Sequence, residues 1–210
     1  MIGILGGAFD PVHFGHLRPA LELEQALGLE QLRLIPTGRP PHREAAHAEA
    51  GHRVTMLERA IEGSDWLIDR REIERDGPSY MVDTLAELRT ELGAERPLAL
   101  MLGLDAFMGL TGWHQWRRLF ELAHIVVSHR PGAELQGMDA ELARELSQRQ
   151  ALQPSELHGR SAGLVWLHPV TQLDISSTAI RSLLAEGNDP RFLMPDAVVD
   201  YLRSHKLYQR

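Results

Sequence analysis

MIGILGGAFDPVHFGH, residues 1–16, decides how the rest of the chain is read. Ile2 to Leu5 is short, apolar and followed by glycine, as a buried strand of the parallel kind would be. Gly6 and Gly7 then let a backbone pass close to a ligand. His13 and His16 lie three residues apart at the mouth of a helix, so both rings can point the same way. Free N–H groups beside glycines and a helix N-terminus favour an anion such as phosphate. Imidazoles there can donate to phosphate oxygens, and a negative ligand favours their protonated form. The spacing is neither G-x-G-x-x-G nor G-x-x-x-x-G-K-[ST], so a dinucleotide fingerprint and a P-loop are both excluded.

Working outward, Leu17, Ala20, Leu21 and Leu27 recur at helical spacing and Gly28 is a plausible stop. Leu32 to Ile35 is a second apolar run, and Val54, Leu57 and Ile61 mark a helix. Trp66 to Ile68 reads as a short strand. Pro78-Ser79-Tyr80 breaks the chain, with Ser79 as candidate cap for a helix through Val82, Leu85 and Leu92. Leu98 to Leu102, His124 to Ser128 and Leu164 to Leu167 read as strands, with a polar helix over 137–150 between the last two. Ile180, Leu183 and Leu184 mark a capped helix, and Pro195-Asp196 opens a final one.

Strands alternating with helices predict an α/β fold: a Rossmann-like doubly wound, mainly parallel sheet with helices on both faces. Ligands of such sheets sit beyond the carboxyl ends of the strands, where strand order reverses. Gly6-Gly7, Pro36-Thr37 and Gly103-Leu104-Asp105 each follow a strand. With no internal repeat, low-complexity tract or clean linker, residues 1–210 read as one domain.

Composition narrows the function classes. A formal net charge of −7 argues against a broad basic surface for nucleic acid. The absence of cysteine excludes disulfides, thiolate catalysis and cysteine-based metal sites. No apolar run approaches the roughly 20 residues of a membrane helix, and no secretory pattern opens the chain. A cytoplasmic enzyme without a membrane partner is the expectation. The scattered histidines make no pattern such as H-E-x-x-H, so no protein-ligated metal is assigned.

A second anion signal lies far along the chain. Ile175-Ser176-Ser177-Thr178-Ala179-Ile180-Arg181 places three hydroxyls at a helix N-terminus and a forked cation one turn in. Taken alone, this segment is better explained by an ordinary N-cap with a solvent-facing arginine; taken with the first motif, it is not.

Together the two segments carry a resemblance. GGAFDPVHFGH resembles the signature of the nucleotidyltransferase family with an H-x-G-H motif, here His13-Phe14-Gly15-His16, and ISSTAIR resembles its second signature. In that family the two hold the triphosphate of ATP or CTP. Three middle segments are similar to the bacterial nicotinate-nucleotide adenylyltransferases: Pro40-Pro41-His42-Arg43, Pro78-Ser79-Tyr80-Met81-Val82-Asp83-Thr84, and Gly103-Leu104-Asp105 followed by Trp113 and by His129-Arg130-Pro131-Gly132. The stretch from Val199 to Tyr208 resembles that family's last helix. Met81 departs from the pattern, which usually has threonine there.

The resemblance implies transfer of adenylate from ATP to nicotinate mononucleotide, giving nicotinate adenine dinucleotide and pyrophosphate, with Mg²⁺ carried by ATP. It implies His13, His16 and Arg181 as catalytic residues. Gly6, Gly103, Asp105, Ile175, Ser176, Ser177 and Thr178 would bind ATP. Gly7, Ala8, Phe9, His42, Arg43, Thr84, Trp113 and Arg130 would bind the nicotinate nucleotide. A homo-oligomer stays open, since the family varies. Physically, Trp113 offers a face for a pyridine ring or fills a core, Asp105 accepts from ribose or caps a helix, and Arg43 and Arg130 suit phosphate or carboxylate. The alternatives are phosphopantetheine adenylyltransferase activity and a nucleotide-binding regulator that has lost catalysis.

Overall fold

The structure is a computed structural model that describes residues 1–39, 46–130, 132, 135–171 and 173–209. Its strands are β1 (Ile2–Gly7), β2 (Gln31–Pro36), β3 (Leu67–Ile68), β4 (Leu98–Gly103), β5 (His124–His129) and β6 (Val165–Pro169). They form one sheet in the order β3-β2-β1-β4-β5-β6. The pairings of β1 with β4, β4 with β5 and β5 with β6 are parallel. Strand order therefore runs outward in both directions from β1, and the reversal falls between β1 and β4. This is the expected doubly wound α/β fold.

Ten α-helices are seen among the described residues. The first five are α1 (Phe14–Leu27), α2 (Ala50–Ala60), α3 (Arg71–Glu74), α4 (Met81–Leu92) and α5 (Leu104–Met108). The others are α6 (Leu119–Leu122), α7 (Ala140–Arg149), α8 (Ser155–His158), α9 (Ser177–Ala185) and α10 (Asp196–Ser204). None is long and apolar enough to cross a membrane.

The chain divides into two compact units, each drawn from three stretches. The first comprises Met1–Leu5, Ala20–Arg33 and Tyr80–Thr171. Leu98 to Leu102 and Ile125 to Val127 are buried along their whole length, as strands covered on both faces must be. His124, also buried, satisfies both ring nitrogens with the Arg160 carbonyl and the Leu164 N–H, a structural role for a histidine in a strand. Trp116 and Trp166 belong to this core.

The second unit comprises Gly6–Pro19, Leu34–Ser79 and Gln172–Arg210. Here α2 packs on α10 through apolar stripes containing Val54, Leu57, Val198 and Leu202. A 2.8 Å bond between His52 Nδ1 and the Tyr201 hydroxyl joins the same two helices.

Two local expectations change. The strand that reads as Ile2 to Leu5 continues through Gly7, whose carbonyl accepts from Thr37 N at 2.8 Å. Ser79 does not cap α4: Tyr80 holds that position, and Ser79 Oγ instead accepts from Arg39 N and donates to the Glu72 carbonyl. A short hydroxyl side chain bonds whichever backbone groups the fold brings near it, and here these are not its sequence neighbours.

Candidate active site

The turn from Ala8 to His13 and the first residues of α1 are built around two closely apposed imidazoles. The ring centroids of His13 and His16 lie 3.8 Å apart with planes inclined by 31°. Phe9, buried and with a φ of 50°, sets its ring edge-on to His16 at 5.2 Å. A side chain at Gly7 would meet the Phe9 ring at 3.2 Å, so the glycine gives that ring its place. Gly15 is more tightly constrained: an added Cβ would lie 2.9 Å from two atoms of the His13 ring and 3.0 Å from the Ile175 carbonyl oxygen. The H-x-G-H spacing thus leaves room for His13 and lets the ISSTAIR segment approach.

That segment supplies the second half. Ser176 caps α9, its hydroxyl accepting from Ala179 N at 3.1 Å. Ser177 Oγ donates to the Pro11 carbonyl at 2.9 Å, and Arg181 Nη1 donates to the Asp10 carbonyl at 2.8 Å. Arg181 Nη2 also donates to Thr178 Oγ1 at 3.2 Å. The solvent-facing arginine of an ordinary cap is therefore not what is found. Arg181 is anchored to the loop that carries His13 and His16.

Burial sets the charge of this centre. His13 is 4% exposed, and burial pushes its pKa down to about 4. His16, a half-buried residue, moves in the same direction, by burial first and by His13 second. Both rings are thus neutral near pH 7 in the free protein, each with one donor nitrogen. His13 Nδ1 is buried without a hydrogen-bond partner among the described residues. An arriving polyanion would supply acceptors and favour protonation of both rings.

The first compact unit holds the other described candidates. Gly103 ends β4 at the N-cap of α5, exposed and with no atom near the place of a Cβ. Asp105 lies exposed in the first turn of α5, whose N-cap position is held by Gly103. Trp113 is partly exposed after a 3-10 turn at Leu110–Gly112, so it is not the core tryptophan of the alternative reading. Thr84 is fully buried in α4, and its N–H donates to the Tyr80 carbonyl at 3.2 Å. Arg130 is exposed just beyond β5, and its carbonyl lies 2.8 Å from His129 Nδ1. His42 and Arg43 lie outside the described residues.

Asp10, Arg53 and Tyr208 are organising residues that sequence reasoning does not single out. Asp10 is 3% exposed and accepts from His47 N at 2.7 Å, Ala48 N at 3.0 Å and the Tyr208 hydroxyl at 2.5 Å. Burial raises its carboxyl pKa, but these bonds and the charge of Arg181 outweigh burial and hold it below the ordinary value. Arg53, buried in α2, donates Nη1 to the Ala8 carbonyl at 2.8 Å. The available signal was an acidic residue inside a glycine- and proline-rich turn. Its partners lie too far along the chain for any local pattern to show.

A pair of imidazoles gripped by a hydroxyl- and arginine-bearing helix end, on a doubly wound sheet, has the donor chemistry to receive an anion such as a polyphosphate. The cytidylyltransferase-like family matches residues 4–183, and the chain belongs to that family. Curated relatives are more specific. A "Probable nicotinate-nucleotide adenylyltransferase" of Pseudomonas putida (strain W619) is 49% identical over 99% of this chain and 94% of its own length. A relative of the same description from Methylococcus capsulatus is 47% identical over the whole of both chains. Among solved structures, nicotinic acid mononucleotide adenylyltransferase of Plasmodium falciparum, complexed with NaAD, superposes with a TM-score of 0.74. That match covers 99% of this chain and 96% of that one at 18% identity, which speaks to the fold.

Proposed function

We propose that this chain transfers adenylate from ATP to nicotinate mononucleotide, giving nicotinate adenine dinucleotide and pyrophosphate, a step of NAD biosynthesis. One observation carries the reading: His13 and His16 converge with Ser177 and Arg181 on a single loop, in a chain similar over its full length to nicotinate-nucleotide adenylyltransferases.

The mononucleotide's 5′-phosphate is already ionised at neutral pH, so no side-chain nucleophile is needed. An oxygen of that phosphate attacks the α-phosphorus of ATP in line. The new P–O bond forms as the bond to the β-phosphate oxygen breaks, and pyrophosphate leaves with the electron pair. Catalysis then consists of holding two anions together and spreading the charge of the transition state. His13 and His16 donate to the reacting phosphates. Ser177, Thr178 and Arg181 take the β- and γ-phosphates, beside the N-terminus of α9 that Ile175 and Ser176 lead into. By the resemblance, Gly6, Gly103 and Asp105 serve the adenylate. Gly7, Ala8, Phe9, His42, Arg43, Thr84, Trp113 and Arg130 serve the nicotinate nucleotide.

Mg²⁺ fits this arrangement as a companion of ATP. Among the described residues no group of three or more His, Asp or Glu side chains could hold a metal ion, and Asp10 is engaged by its donors. The ion would sit on phosphate oxygens and water. A reaction that draws on ATP suits a cytoplasmic enzyme.

The test is pyrophosphate release with ATP and Mg²⁺, offering nicotinate mononucleotide, nicotinamide mononucleotide and phosphopantetheine side by side. Strong preference for the first is expected. Turnover with phosphopantetheine alone would assign the chain to a different branch of the family, and no turnover with any would favour a nucleotide-binding regulator.

A further inference from the structure

Loop 8–11 is fixed by backbone acceptors and one buried carboxylate, reached from four separate places. Arg53 of α2 takes the Ala8 carbonyl, Arg181 the Asp10 carbonyl and Ser177 the Pro11 carbonyl. The Asp10 carboxylate takes the N–H groups of His47 and Ala48 and the hydroxyl of Tyr208, which lies past the end of α10. Its Oδ2 lies 3.4 Å from His47 Nδ1 and only 4.0 Å from Arg181 Nη1. Arg181 is thus between two claims: the Asp10 carboxylate on one side, and any polyphosphate that approaches α9 on the other.

We propose that Tyr208 is a positioning residue for ATP: by donating its hydroxyl to Asp10 it keeps that carboxylate from closing on Arg181, and so leaves the guanidinium available to phosphate. The argument is one of competing acceptors. A buried carboxylate short of donors draws in the nearest cation, because an unsatisfied buried charge is costly. With the Tyr208 hydroxyl in place the need is met, and the Arg181–Asp10 side-chain gap stays at 4.0 Å, wider than a hydrogen bond. Without it, His47 Nδ1 at 3.4 Å and Arg181 Nη1 at 4.0 Å are the side-chain donors within reach of Asp10, and of these two Arg181 is the one with a permanent charge to draw in. ATP would then have to break an ion pair before binding. The inference rests on the proposed use of Arg181 for ATP, but not on which mononucleotide accepts the adenylate.

The experiment is a double-mutant cycle on ATP affinity, read by calorimetry with ATP and Mg²⁺ on wild type, Tyr208→Phe, Asp10→Asn and the double variant, with melting temperature followed in parallel. Tyr208→Phe should weaken ATP about five- to tenfold. In the Asp10→Asn background, where the residue can no longer hold Arg181 by charge, the same substitution should change affinity less than about twofold. An equal loss in both backgrounds, or a loss that follows melting temperature alone, would make Tyr208 a packing residue and overturn the proposal. So would unchanged affinity in Tyr208→Phe. A Kd arm that behaves as expected while the substrate panel shows no turnover would uphold the role of Tyr208 and remove the proposed reaction.

Discussion

Gly15 shows how much of this site is steric. A methyl group there would collide with the His13 ring and the Ile175 carbonyl, and the backbone oxygen cannot swing away as a flexible side chain could. Overpacking of this kind costs about 1–3 kcal/mol. Gly15→Ala should therefore lower the melting temperature and kcat together, as measured by thermal unfolding and pyrophosphate release. His16→Ala makes space instead. It should leave the fold largely intact and reduce kcat on the order of 10²-fold through loss of a transition-state donor. A reduction under about threefold would remove His16 from the reaction. The sequence made both histidines legible, because i and i+3 at a helix start is a local pattern. It could show that Gly15 belongs to the motif, but not why, because Ile175 meets it only in the folded chain. Asp10 was hidden for the same reason, its main donors coming from residues 47, 48 and 208.

At the scale of elements, helix α9 joins stability to the site. Ser176 satisfies one free N–H at its start while Ser177 and Arg181 reach back to the loop. Ser176→Ala should cost about 1 kcal/mol, and Ser176→Gly only a few tenths. Urea unfolding of the two variants measures the difference, and equal losses would mean that the Ser176 hydroxyl is not a working cap. Strands β4 and β5 were legible because a strand covered on both faces must be apolar throughout. The end of β1 was not, because glycine reads as a turn whether or not the ladder continues through it. Ser79 stood where a cap belongs by sequence, yet the contacts at Arg39 and Glu72 won its hydroxyl. The single-turn helix α8 is too short to show a period.

For the molecule as a whole, buried neutral histidines set the acid limit of stability. The pKa of His13 falls from the ordinary 6.5 to about 4 on folding, so below pH 6.5 the unfolded chain takes up a proton that the folded chain refuses. Stability from this group is fully present above that range and falls as pH drops through the window from 6.5 to about 4, at about 1.4 kcal/mol per pH unit for His13. His16, His124 and His168 are shifted the same way, each by burial first. The Asp10 carboxyl, held below its ordinary 3.8, adds its own loss only at still lower pH. Urea midpoints between about pH 7.5 and pH 4.5 should trace this decline, and His13→Gln should make it shallower. A profile flat to pH 4.5 would mean that the rings are not buried as described. At this scale the alternation of strands and helices announced the fold plainly. The two units were not legible, because they interleave along the chain and leave no linker between them.

That interleaving limits how the chain can be cut. The loop with His13 and His16, the helix with Arg53 and the segment from Ser176 to Tyr208 come from three stretches of the second unit, and the first unit occupies the intervals between them. No shorter continuous fragment can carry the whole of the proposed phosphate-binding centre without also carrying most of the first unit. Dissection into a minimal nucleotide-binding piece is closed by topology. A protease nick in the middle of the chain leaves two halves, neither of which holds both His16 and Arg181.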